Sequence, residues 1–221
     1  MKPVCLAIAL FFCAGSAKAD IVEGVLFGDS FSNNTVDWPS YTEVRFKKFA
    51  FGGRTLANIS ANFTSELSEV TKEYDTIMVM AGINDLFRDS IQLSDLQMAV
   101  TDIIDAAPTE KTLVLSTLPP AAGHVLWNND KQIIADQYND WLSGIDDIYL
   151  FDLNAVLDVN GDNHLDTQWD AGDGLHPSIG ANGGMGHIGR TYDRFAQSVP
   201  EPGFGIVAAI CLFGVGFRKR A

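Results

Sequence analysis

Runs rich in apolar residues recur along the chain at Ile21–Phe27, Phe46–Phe51, Ile77–Ala81, Leu113–Thr117 and Ile148–Asp152, and each is short enough to predict a β-strand. The stretches between them change period. Residues 55–72 and 94–106 repeat their apolar positions at helical spacing, with Ser94 placed to cap the second helix. Residues 128–143 carry Ile133, Ile134, Tyr138, Trp141 and Leu142 on one helical stripe, which reads as core packing. Strands that alternate with helices predict an α/β domain: a central parallel sheet covered on both faces, with functional residues at the carboxyl ends of its strands.

The two ends of the chain break this pattern. Met1-Lys2, the apolar stretch Val4 to Phe12 and the triplet Ala17-Lys18-Ala19 have the order of a signal peptide, predicting export and a new N-terminus at Asp20. At the far end Val199-Pro200-Glu201-Pro202 precedes an apolar run from Gly203 to Phe217 and then Arg218-Lys219-Arg220. That run is shorter than the roughly 20 residues of a comfortable transmembrane helix, and the basic cluster at its end fits the positive-inside rule. Three segments follow: a leader at 1–19, a globular domain at 20–198 and a tail at 199–221.

Composition narrows the domain's chemistry. Cys5 and Cys13 fall in the leader and Cys211 in the tail, so residues 20–198 offer neither disulfides nor thiolate metal ligands. At roughly 180 residues the domain can bury a sizeable core without such staples. The whole chain has a formal net charge of −13, and residues 20–199 hold 10 Lys and Arg against 27 Asp and Glu. A field of that sign repels nucleic acid and anionic membrane surfaces, which excludes a DNA or RNA partner.

Candidate chemistry sits where the strands end. Gly28-Asp29-Ser30 follows the first strand, Gly52-Gly53 the second and Gly82-Ile83-Asn84-Asp85 the third, while Asp173-Gly174-Leu175-His176-Pro177 lies beyond the fifth. A serine hydroxyl becomes a nucleophile only when a base takes its proton and an acid holds that base in the right tautomer. Ser30, His176 and Asp173 are candidates for those roles, with His124, His164 and His187 as rival bases. Pro177 keeps His176 extended and can open a helix after it. Ser32 stands where an α/β-hydrolase elbow needs glycine, which argues against that class.

The segment Asp158-Val159-Asn160-Gly161-Asp162 through Asp166 spaces its oxygen side chains like the start of a calcium loop. Asn163 and Trp169 occupy the places where an EF-hand requires Gly and Glu. Asp158, Asn160, Asp162 and Asp166 are therefore a weak calcium set, and a solvated acidic loop is the plainer reading.

The four blocks at the strand ends, the second running Phe51-Gly52-Gly53-Arg54-Thr55, in this order resemble the GDSL or SGNH hydrolases, a family of serine esterases and lipases. The resemblance spans nearly all of residues 20–198 and implies a three-layer, flavodoxin-like fold with no cofactor. It implies an ester substrate: a lipid, an acetylated polysaccharide or a small ester. It assigns the catalytic roles to Ser30, Asp173 and His176, and the oxyanion hole to the N–H groups of Ser30 and Gly53 and the Asn84 amide. Asp37-Trp38-Pro39-Ser40-Tyr41 and Ala50 to Thr55 resemble the lipase-like branch. Two features depart from it: Asn33-Asn34 replaces an Asp of many lipase-like relatives, and the glycine-rich stretch Ser178 to Met185 looks like an insertion over the site. Transfer of acyl groups to an acceptor other than water, and a non-catalytic module that binds polysaccharide, remain alternatives.

The tail resembles the PEP-CTERM sorting signals of Gram-negative envelope proteins. This implies export through the inner membrane, residence in the cell envelope or at the surface, attachment to the membrane through the tail, and processing by an exosortase-type partner.

Overall fold

The computed structural model describes residues 23–88 and 90–199. The expected leader lies outside them, as does the expected tail beyond Val199. Five parallel strands form the centre: β1 (Glu23–Gly28), β2 (Arg45–Ala50), β3 (Thr76–Met80), β4 (Thr112–Ser116) and β5 (Tyr149–Phe151). Their order is β2-β1-β3-β4-β5. All five predicted strands are present, each within two residues of the expected start among the described positions.

Among the described residues six helices surround the sheet: α1 (Leu56–Leu67), α2 (Ile83–Leu86), α3 (Leu93–Ala106), α4 (Asn129–Ser143), α5 (Leu153–Leu157) and α6 (Gly184–Ala196), with a 3-10 turn at Trp38–Tyr41. Alternation along the strands divides them into two layers. Phe27 and Phe49 stack at 5.4 Å on the side where Phe63 of α1 lies 4.7 Å from Phe27. Phe46 and Phe151 point to the opposite side, where Tyr192 of α6 lies 5.7 Å and 5.4 Å away. Val25, Leu26 and Phe27 are completely buried, as a strand covered on both faces requires.

The predicted helices are found with small corrections. The second begins at Leu93 rather than behind Ser94: the Gln92 N–H donates to Asp95 Oδ2 at 2.9 Å, so the acidic side chain three residues on closes the first turn and Ser94 lies inside it. On α4 the stripe buries Tyr138 and Leu142, but Ile133 is 46% exposed. Pro177 does not open a helix. It forms an antiparallel bridge with Asp170, and α6 begins seven residues later at Gly184.

Strand order places the site. From β1 the chain moves to one side for β2 and to the other for β3, so the sheet reverses direction at β1. At such a reversal the loops leaving the carboxyl ends diverge and open a crevice. Gly28 is level with Ala50 and Met80, which puts the turns after β1, β2 and β3 at one height.

Candidate active site

Ser30 stands at the carboxyl end of β1, half-buried, on a turn closed by the Ser32 N–H donating to the Asp29 carbonyl at 3.1 Å. Its Oγ lies 3.0 Å from His176 Nε2, and His176 Nδ1 lies 2.7 Å from Asp173 Oδ2. Residues 146 positions apart thus meet within hydrogen-bond reach, in the order hydroxyl, imidazole, carboxylate. The imidazole ring tilts against Phe31 at 5.8 Å, and Phe31 itself is 1% exposed.

The loop that carries Asp173 and His176 is tied at each level. Asp170 Oδ1 accepts the N–H groups of Gly172 and Gly174 at 2.7 and 3.1 Å. Asp173 Oδ1 accepts those of Leu175 and His176 at 3.0 and 2.7 Å, leaving Oδ2 for the imidazole. Partial burial works to raise the Asp173 pKa, but the His176 N–H, the His176 ring and the Leu175 N–H together hold it below the usual carboxylate value. The acid is therefore ionised over the neutral range and fixes the tautomer in which Nδ1 donates and Nε2 faces Ser30.

The second and third blocks complete the rim. Gly53 is exposed, has φ +74° and offers open space where a Cβ would stand. A side chain there would need the left-handed conformation. The N–H groups of Ser30 and Gly53 find no acceptor among the described residues. Asn84 Nδ2 donates to the Arg54 carbonyl at 3.1 Å and reaches Asp29 Oδ2 at 3.4 Å, which joins the first three blocks through one amide.

Two residues of these blocks carry supporting work that motif spacing did not reveal. Arg54 is 5% exposed and fans out beneath the turn: Nη1 to the Phe49 carbonyl at 2.5 Å, Nε to Asn58 at 2.9 Å and Nη2 to Glu66 at 2.6 Å. Asp85, one position after Asn84, accepts the Leu56 N–H at 2.8 Å and the Ala57 N–H at 3.5 Å. It satisfies the free amides at the N-terminus of α1 from a different element, locking the Asn84 turn to the segment after Gly53. Burial raises the Asp85 pKa, against the pull of those two amides.

The rings of the rival histidines make other contacts. His124 packs on Phe87 at 5.0 Å, His164 contacts the Asp162 carbonyl through Nδ1 at 2.9 Å, and His187 stacks on Trp169 at 4.0 Å and 12°. The His187 stack anchors the start of the His176 loop to α6. The glycine-rich stretch after Pro177 is a hydrogen-bonded bend: Ser178 N–H donates to the Trp169 carbonyl at 2.6 Å, and Ser178 accepts from Gly184 and Met185 at 3.1 and 3.0 Å. In the acidic loop Asp158 accepts three backbone amides, from Gly161, Asp162 and Asn163, at 2.7 to 3.1 Å. Asn160 bonds Asp162 at 3.1 Å, and Asp166 accepts the Val159 N–H at 3.4 Å. These oxygens close the loop on itself, and among the described residues no cluster of His, Cys, Asp and Glu is disposed to hold a metal.

A parallel α/β sandwich with a Ser-His-Asp line at the switch point defines a hydrolase-type site. Residues 26–179 match the GDSL-like lipase/acylhydrolase family, and the chain belongs to that family, which places it among ester hydrolases. None of the curated proteins compared with the chain matches it. Among solved structures, the chain is similar to a protein assigned to the lipolytic G-D-S-L family from Desulfitobacterium hafniense, at 18% identity over 79% of this chain and 99% of that one, with a TM-score of 0.66. It is similar to the lipase/acylhydrolase from Enterococcus faecalis at 19% identity, 82% and 98% coverage and a TM-score of 0.65. An acetylxylan esterase from Geobacillus stearothermophilus matches at 17% identity, 79% and 93% coverage and a TM-score of 0.58. The shared feature is the fold.

Proposed function

We propose that this chain is an exported serine esterase or lipase that hydrolyses carboxylic esters through an acyl-enzyme on Ser30. The observation that carries the reading is the continuous line from Ser30 Oγ through the His176 ring to Asp173, at 3.0 and 2.7 Å. His176 Nε2 takes the hydroxyl proton as Oγ attacks the ester carbonyl carbon. The carbonyl oxygen becomes an oxyanion and accepts from the Ser30 and Gly53 N–H groups and the Asn84 amide. Collapse breaks the bond to the alcohol, which leaves with the proton from His176. Water then repeats the sequence against the acyl-enzyme, releasing the acid and restoring Ser30. Asp173 stays ionised throughout and stabilises the imidazolium. No step calls for a cofactor.

Exposed apolar side chains on the carboxyl-end loops support an ester with an apolar portion. Phe51 is 57% exposed, Val125 89%, Leu126 61% and Ile179 65%. They follow β2, β4 and His176. The leader and the tail motif support export and retention at the cell envelope, with an exosortase-type enzyme acting on the tail.

Hydrolysis of p-nitrophenyl esters of graded acyl length by the full chain, beside Ser30→Ala, tests the reaction. The expected outcome is wild-type turnover that falls by a factor on the order of 10³ or more in the variant, with an optimum above acetyl. Equal turnover by both proteins overturns the acyl-enzyme.

A further inference from the structure

Asp29 precedes the nucleophile, yet the reaction above gives it no task. Its side chain is buried, at 2% exposure. Burial pushes the carboxyl up to about 7, against the opposing effects of the Phe31 N–H and the His176 charge. A buried acid kept for structure recovers its lost hydration through an ion pair or several strong hydrogen bonds. Among the described residues no cation pairs with Asp29. Ser116, whose buried hydroxyl has no partner, lines the same small cavity as Asp29, and no hydrogen bond joins the two. The carboxyl spends itself instead on the site: Oδ1 accepts the Phe31 N–H at 3.0 Å and Oδ2 lies 3.4 Å from Asn84 Nδ2.

We propose that Asp29 is a positioning residue that couples the nucleophile turn to the oxyanion amide, holding the turn through Phe31 and setting the orientation of Asn84. Asn84 Nδ2 carries two hydrogens. The Arg54 carbonyl holds one at 3.1 Å, which pins the amide plane. The other faces Asp29 across a long contact, weak enough to be surrendered. A developing oxyanion takes this second hydrogen from Asp29, so the donor is aligned before reaction and released at little cost during it. The inference rests on the acyl-enzyme reading.

Asp29→Asn separates this role from a structural one. Asparagine keeps an oxygen for the Phe31 N–H but turns an NH₂ toward the NH₂ of Asn84, so two donors face each other. For the full chain we expect kcat to fall at least about tenfold with KM within about twofold, because the lost interaction belongs to the transition state. In an Asn84→Ala background the same change should alter kcat less than about twofold, since the effect passes through Asn84. The melting temperature of Asp29→Asn at pH 8 should equal or exceed that of the wild type, because the amide has no charge to desolvate. Asp29→Ser, whose hydroxyl also suits the Phe31 N–H, should show the same loss of kcat and guards against a poorly folded Asn variant. An unchanged kcat in both variants, an equal cost with and without Asn84, or a kcat loss that tracks a lowered melting temperature overturns the proposal. A wild type that turns over no ester and whose Ser30 escapes a fluorophosphonate probe overturns the acyl-enzyme reading, and this proposal with it.

Discussion

Asp29 and Asp173 show how neighbours decide what one residue type does. Asp173 is exposed and gathers two backbone N–H groups and the imidazole, so it is held below the usual carboxylate value. Asp29 is sealed beneath the turn and moves from the ordinary 3.8 to about 7. An acid whose pKa is raised on folding favours the folded state most when protonated in both states, at pH below about 4. That contribution is lost as pH climbs toward 7, and above it the buried carboxylate costs on the order of 4 kcal/mol. The difference in melting temperature between Asp29→Asn and wild type should therefore grow in favour of the variant from pH 5 to pH 8 and then level off. A difference that stays flat across this range would show that Asp29 keeps its ordinary pKa. A group that lowers stability at neutral pH and stands beside the proposed nucleophile is where function is expected to oppose stability.

At the scale of elements, the loop from Trp169 to Ser178 is the part on which the site depends most. It is closed by the Asp170–Pro177 bridge and by Asp170 holding two of its amides. Gly174 has φ +72°, and a Cβ there would stand 2.3 Å from the Gly123 carbonyl carbon, in the loop after β4. Gly161 has nearly the same φ, +74°, with nothing within 4 Å. The pair separates conformational strain from collision. Gly161→Ala should cost only about 1 kcal/mol and leave activity unchanged. Gly174→Ala should cost roughly 2–3 kcal/mol, lowering the melting temperature by about 4–12 °C, and should slow ester hydrolysis at least about tenfold by displacing Asp173 and His176. Similar melts for the two variants would show that the loop after β4 yields without cost. The helix that follows this loop is hard to read in the sequence. Glycines at 184, 186 and 189 obscure α6, and they are present because Trp169, Ala181 and Tyr41 crowd the places where their Cβ atoms would stand.

For the whole molecule, the proposed export and attachment would put the acidic domain and the basic end of the tail in different environments. If the tail attaches the protein to the envelope, deletion of residues 199–221 should release a tagged protein into the medium while the full chain fractionates with membranes; identical fractionation removes the attachment. The five strands, three of the four long helices and the four rim blocks were legible in the sequence because each depends on local periodicity or on residues close together in the chain. Asp173 and His176 are local in that sense, three residues apart, and their pairing follows from spacing. Their meeting with Ser30 across 146 positions, by contrast, requires the strand order β2-β1-β3-β4-β5, which brings the ends of β1 and of the last loop to one rim. The tasks of Arg54 and Asp85 were hidden for the same reason: each supports a partner on another element, and no spacing in sequence encodes that contact. The sequence by itself determined the alternation of strands and helices, the acidity and the residue types available for catalysis. Only the tertiary structure decided which carboxylate is buried and which is free to hold an imidazole, because desolvation depends on everything packed around a group and not on its neighbours in the chain.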